Sequence, residues 1–225
     1  MNHDFPHLAV LGGTGALGNG LARRWAAAGL QVTIGSRLQE KAEAAAAAIP
    51  VGLGHSAVRG LALADAAAAA EVVVVAVPWE AHASTCDQIR EHVAGKVVID
   101  VVNPLGFDKQ GAYALPVAEG SAAQQAQALL PEAHIVAAFH HVSAVLLADA
   151  SVEKVETDVM VLGDHRESTD QVQRLVEQIP GMRGVYAGRL RNAYQVEALT
   201  ANLISVNRRY KTHAGIALTN VPMPD

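Results

Sequence analysis

An apolar run, Leu8-Ala-Val-Leu11, passes directly into Gly12-Gly13-Thr14-Gly15-Ala16-Leu17-Gly18 and from there into helix-forming sequence. Few patterns restrict a chain so tightly. Gly13-x-Gly15-x-x-Gly18 between a strand and a helix is the phosphate turn of a Rossmann βαβ unit. Gly13 is expected to turn the chain tightly, Gly15 to let the backbone approach a pyrophosphate, and Gly18 to let the helix lie close on the strand. The first N–H groups of that helix then face the diphosphate. A strand at residues 8–12, a helix at 16–28 closed by Gly29 and a second strand at 30–34 complete the unit.

The residues after the second strand bear on the choice of nucleotide. An acidic side chain there would bind the ribose hydroxyls of NAD. The chain instead reads Gly35-Ser36-Arg37, with Lys41 one helical turn later. Ser36 offers a hydroxyl, Arg37 a planar fork suited to phosphate and Lys41 a point charge, a set that fits the 2′-phosphate of NADP.

Helical sequence over residues 38–48 stops at Pro50, and a glycine-containing connection (51–60) leads to an alanine helix at 64–70. The run 71–77 shows no alternation, as expected of a central parallel strand buried on both faces. It ends in Pro78-Trp79-Glu80, at the edge where open α/β sheets bind ligands, so Trp79 is a candidate wall of the pocket. Further elements are a helix at 80–93, a strand at 97–102 closed by Asn103-Pro104, a helix at 121–130 and a strand at 135–139 running into His140-His141. The histidine pair invites a catalytic or pocket-lining role. With no other His, Asp or Glu at ligand spacing, it is not read as a metal site. A strand (158–162), a helix (167–179), a strand (184–187) and a long helix (192–214) follow, the last too apolar to stand alone. The expected architecture is α/β: a doubly wound, mostly parallel Rossmann-type sheet (1–188) with a C-terminal helical extension (189–225) on it or on a second subunit.

Composition narrows the function. The formal net charge of −5 supplies no concentrated basic surface for nucleic acid. Cys86 is the single cysteine, which excludes an intrachain disulfide and suits a reducing, cytoplasmic setting. No apolar run approaches the roughly 20 residues of a membrane span, and residues 1–6 lack the pattern of an export signal.

Leu11-Gly-Gly-Thr-Gly-Ala-Leu-Gly18, Gly35-Ser-Arg37, Lys41, Val77-Pro-Trp-Glu80, Asn103-Pro104 and Val196-Glu-Ala-Leu-Thr200 together resemble the NADPH:coenzyme F420 oxidoreductases, almost end to end. The resemblance implies reversible hydride transfer between the nicotinamide C4 of NADP(H) and C5 of the deazaflavin coenzyme F420. It assigns Thr14, Gly15, Ala16 and Leu17 to the pyrophosphate turn and Ser36, Arg37 and Lys41 to the 2′-phosphate. Trp79, Ala83, Asn103 and Ala144 fall on the nicotinamide side, and His140 at the floor between the two rings. A homodimer is also implied. The stretch His140-His141-Val142-Ser143-Ala144 departs from the pattern, which has a proline-containing segment there.

Direct hydride transfer needs two rings held face to face and water excluded, not an acid/base triad. The chain has no Gly-x-Ser-x-Gly elbow, and Tyr113 lacks the Tyr-x-x-x-Lys spacing of short-chain dehydrogenases. The alternatives are an NADPH-dependent reductase of a flavin, quinone, ferric complex or imine, and a non-catalytic NADP sensor. Arg208, Arg209 and Lys211 form a late cationic cluster suited to the anionic oligoglutamyl tail of the deazaflavin. The residues after Leu218, with two prolines, are expected to be a loose end.

Overall fold

A computed structural model of the protein describes residues 5–50 and 57–222. The readings for residues 1–4, 51–56 and 223–225 lie outside the described residues. The strands β1 (Leu8–Leu11), β2 (Val32–Ser36), β3 (Arg59–Ala62), β4 (Val72–Val75), β5 (Val97–Asp100), β8 (His134–Ala137), β9 (Thr157–Gly163) and β10 (Met182–Gly188) form one sheet in the order β10-β9-β8-β5-β4-β1-β2-β3. From β3 to β8 every pairing is parallel; β9 reverses direction against β8, and β10 follows β9 in parallel.

Alternate residues of the central strands feed two cores. Leu8, Val10, Val72, Val74 and Ile99 join Leu21 and Trp25 of α1 (Ala16–Ala27) and Leu175 of α7 (Arg166–Glu177). Ala9, Leu11, Val73, Val75 and Val98 join α3 (Leu63–Ala69), Cys86 and Ile89 of α4 (Trp79–Ile89) and Ala126 of α5 (Ala122–Leu129). This is why the strands read as unbroken apolar runs: each face buries side chains under a helical layer. The indole of Trp25 also donates to the Leu175 carbonyl at 3.0 Å. Helix α2 (Gln39–Ala47) covers the β2–β3 edge.

Four local features depart from the sequence reading. Edge strand β3 lies in what reads as a connection; Gly60 packs against the backbone of Ala42 and Glu43, leaving no room for a side chain. Residues after Asn103 fold into a hairpin, β6 (Leu105–Asp108) and β7 (Gly111–Ala114), whose turn is pinned by Asp108 Oδ1 accepting the N–H groups of Gln110 and Gly111. A short helix, α6 (Ala144–Ala148), follows the histidine pair, capped by Ser143 Oγ. Strand β8 stops at Ala137, short of Phe139, which adopts a left-handed φ of 62° and packs edge-on against Trp25.

Helix α8 (Ala193–Tyr210) packs on α5 and β7 of the same chain, with no separate core. It ends at Tyr210, four residues earlier than expected, because Lys211 turns left-handed (φ 52°) and Asn207 Oδ1 takes the Ala214 N–H. The following residues are not loose as far as they are described. Leu218 N donates to Asp158 Oδ2, and Arg183 donates to Asp158 and to the carbonyls of Leu218 and Val221.

Candidate cofactor-binding site

Strand order reverses between β1 and β4, and a cleft opens outside their carboxyl ends, where such a switch point places ligands. Two adjoining cavities of about 410 and 460 Å³ share Gly12, Thr14, Arg37, Val77 and Pro78. One continues to Ser36, Lys41 and Thr85; the other runs past Gly15, Ala16 and Leu17 to Trp79, Val101, Val102 and Asn103.

At the turn, Gly12 and not Gly13 carries the conformational demand. Its φ is +83°, and a Cβ there would sit 2.5 Å from the Ala76 carbonyl oxygen, so only glycine lets β1 and β4 approach at the crossing. Gly18 is needed for closeness: its Cβ would meet the Gly12 oxygen at 2.8 Å. Gly15 is the N-cap of α1, with no side chain capping the helix and no acid in its first turn. The Gly15 N–H bonds back to the Gly12 carbonyl at 2.8 Å, and the first turn of α1 begins at the cavity that Gly15, Ala16 and Leu17 line.

Ser36 closes β2, and Arg37 and Lys41 are exposed at the start of α2. Neither cation has an ion-pair partner among the described residues. Among the described residues, no carboxylate lines either cavity. Thr14, Gly15, Ala16, Leu17, Ser36, Arg37, Lys41, Trp79 and Asn103 are thus brought to one cleft, while Gly13 and Gly18 shape its turn from behind. Ala83, an exposed residue of α4, and Ala144, the first residue of α6, line neither of these cavities, and nor does His140.

The region beyond Asn103 is polar and buried. Asn103 Nδ2 donates to the His140 carbonyl at 2.7 Å, leaving Asn103 Oδ1 buried without a partner. The His140 ring is 2% exposed, and neither nitrogen is bonded. Burial drives its pKa down to about 4 against the opposing pull of Asp100, so the imidazole is neutral at physiological pH. His141 is likewise lowered to about 4 by burial, and its Nε2 accepts the Met160 N–H at 3.3 Å.

A buried polar cluster unanticipated from the sequence lies beneath this region. His82 Nε2 meets Asp100 Oδ2 at 2.6 Å with both side chains fully buried. Glu197 of α8, 2% exposed, accepts the N–H groups of Ala122 and Ala123 at the start of α5. Burial raises its pKa to about 7. A signal was present: His82 shares the buried face of α4 with Cys86 and Ile89, and a polar residue on such a face needs a buried partner.

Residues 7–104 match the family model described as NADP oxidoreductase, coenzyme F420-dependent. The chain is 41% identical over 222 residues to the F420-dependent NADP reductase of Methanothermobacter thermautotrophicus, covering 96% of this chain and 95% of the relative. It is 38% identical to the enzyme of that name from Methanothermobacter marburgensis, covering 96% and 99%. A crystal structure from Arthrobacter sp., proposed to be an F420-dependent NADP reductase, superposes with a TM-score of 0.75 at 30% identity, covering 95% of this chain and all of that one.

Proposed function

The chain belongs to the F420-dependent NADP reductase family, and from that premise we propose that it catalyses reversible, direct hydride transfer between NADP(H) and coenzyme F420. The observation that carries the nucleotide half is the pair of cations, Arg37 and Lys41, beside Ser36 in a cleft where the described residues supply neither an ion-pair partner for them nor a lining carboxylate. An NAD-specific site would need an acid at that place.

The residues present fit NADP(H). The uncapped start of α1 and the space preserved at Gly12 and Gly15 suit a diphosphate. Ser36, Arg37 and Lys41 suit the 2′-phosphate, and the orphaned Asn103 Oδ1 offers an acceptor to a carboxamide N–H. When bound, NADPH supplies a hydride from its nicotinamide C4 to the deazaflavin C5, with uptake of one proton from solvent. The chain's own task is placement. Trp79 walls the cleft and Asn103 forms its floor, with the His140 carbonyl holding the Asn103 amide from behind and a neutral imidazole beside it. Ala83 and Ala144 border the nicotinamide end in this reading. Residues 1–188 act as the nucleotide-binding domain and 189–225 as the extension that buttresses the floor through α8.

The protein works in this reading as a cytoplasmic homodimer, with the exposed hairpin residues Phe107 and Tyr113 available to a second copy. The function is tested by mixing purified protein with NADPH and oxidised F420 and following the visible absorbance of the deazaflavin. Bleaching with equimolar NADPH oxidation supports it. NADPH oxidation only with flavin, quinone, ferric or imine acceptors, or tight NADPH binding with no acceptor reduced, overturns it.

A further inference from the structure

The buried contact between His82 and Asp100 joins the two walls of the cleft at its nicotinamide end. Trp79 opens α4, and His82 stands one helical turn later with its ring 5.5 Å from the indole, tilted 30°. Asp100 ends β5; its Oδ2 takes the bond from His82, and its Oδ1 accepts the Val102 N–H at 2.9 Å, immediately before Asn103. A single carboxylate therefore holds the Trp79 helix with one oxygen and the Val102–Asn103 segment with the other.

The protonation of the pair follows from its neighbours. Gln125 Nε2 donates to Glu119, which leaves Gln125 Oε1 as acceptor for His82 Nδ1 at 2.9 Å. With acceptors at both nitrogens, His82 donates twice and is an imidazolium. Burial alone would lower its pKa; the adjacent Asp100 carboxylate overrides this and holds it raised, with a smaller contribution from Cys86. The other titratable groups facing the pair are Glu197 from α8 and His140 from the turn after β8.

We propose that His82 and Asp100 are positioning residues for the hydride transfer, their bond fixing Trp79 against Val102 and Asn103 and so setting the width of the cleft where the nicotinamide lies. The proposal rests on the function proposed above. Ser36 ends β2, Arg37 follows it and Lys41 lies on α2, elements that the tie does not hold; α4 reaches their cavity only through Ala81 and Thr85, so the NADPH Kd is read separately from the transfer rate.

Three variants test it. D100N keeps both bonds, its oxygen accepting from Val102 and its amide donating to a neutral His82. D100S is too short to reach His82, and H82L/D100N removes the imidazole without orphaning a charge, so two independent breaks are available if one fails to fold. Single-turnover hydride transfer to F420 and the NADPH Kd are measured on each, together with the 19F signal of 5-fluorotryptophan at position 79, assigned with W79F. D100N is expected within threefold of the parent rate. Both breaks are expected to slow transfer at least tenfold, to leave the NADPH Kd within threefold, and to broaden or split the Trp79 signal, which stays single in D100N. Transfer at the D100N rate in the breaks, a Kd that weakens in step with the rate, or a single sharp Trp79 signal throughout would overturn the proposal. A parent protein that does not reduce F420 would sink the functional reading, and the Trp79 signal would still decide the positioning.

Discussion

Thr200 Oγ1, on the C-terminal helix, donates to the carbonyl oxygen of His140 at 2.9 Å, and Asn103 Nδ2 donates to the same oxygen at 2.7 Å. Two segments distant in sequence thus converge on one backbone atom behind Asn103 at the cleft. Thr200→Val removes one of the two donors while Asn103 still satisfies the carbonyl, so the expected loss of stability is about 1 kcal/mol. Thr200→Ser is expected to restore it. Urea unfolding of the three proteins checks the order, and equal midpoints for valine and serine would refute it.

Arg37→Ala is expected to raise KM for NADPH far more than for NADH. Loss of a charge-assisted contact of about 1.5–3 kcal/mol corresponds to roughly a ten- to hundredfold change. Steady-state kinetics with both nucleotides measures it; equal losses would show that Arg37 does not read the 2′-phosphate.

Gly12→Ala and Gly95→Ala separate strain from collision. Both glycines have positive φ, +83° and +69°, but a Cβ at Gly95 meets nothing within 4 Å whereas one at Gly12 meets the Ala76 carbonyl. Gly95→Ala is expected to cost about 1–2 kcal/mol of stability. Gly12→Ala costs more and also abolishes measurable NADPH binding, as calorimetric unfolding and nucleotide titration would show.

Glu197 on one side and His140 and His141 on the other give stability a pH dependence of opposite signs. Glu197, raised to about 7 when folded against 4.5 for the free group, holds its proton more tightly in the native state, so its contribution declines as pH rises from about 4.5 to 7. His140 and His141, lowered to about 4, leave the unfolded chain binding more protons between about 4 and 6.5, so stability climbs with pH across that window. Glu197→Gln is expected to gain on the parent by about 2–3 kcal/mol between pH 5 and 7.5, read from denaturation at each pH. A constant difference would mean that Glu197 does not titrate there.

Phe107→Asp probes assembly. Phe107 is 69% exposed on the hairpin, and its partner strand carries Tyr113 at 47%. Light scattering should find a dimer for the parent and a shift toward monomer at low micromolar concentration for the variant. A monomeric parent would end the homodimer proposal.

What could be read in advance divides along a physical line. Features that local chemistry dictates were legible: the unbroken run at β4 requires burial on both faces, and Ser36, Arg37 and Lys41, a few residues apart at the end of β2, line one cavity as their spacing implies. Helix α1 and its Gly29 terminus followed in the same way. Features set by distant partners were not. Strand β3 is short and pairs only because β2 offers an edge, and the hairpin turn depends on an Asp108 side chain in place of a glycine pair. The displacement of the tight turn from Gly13 to Gly12 depends on Ala76, across the β1–β4 crossing. Nothing within a few residues of His82 or Glu197 names Asp100 or the start of α5 as the partner.

The bidentate grip of Arg183 on Asp158, with the carbonyls of Leu218 and Val221 gathered into the same hand, bears on how the molecule can be engineered. Trimming the chain back past Leu218 would strip the Asp158 carboxylate of a backbone donor and Arg183 of two carbonyl acceptors, loosening the ion pair through which the C-terminal segment fastens β9 to β10.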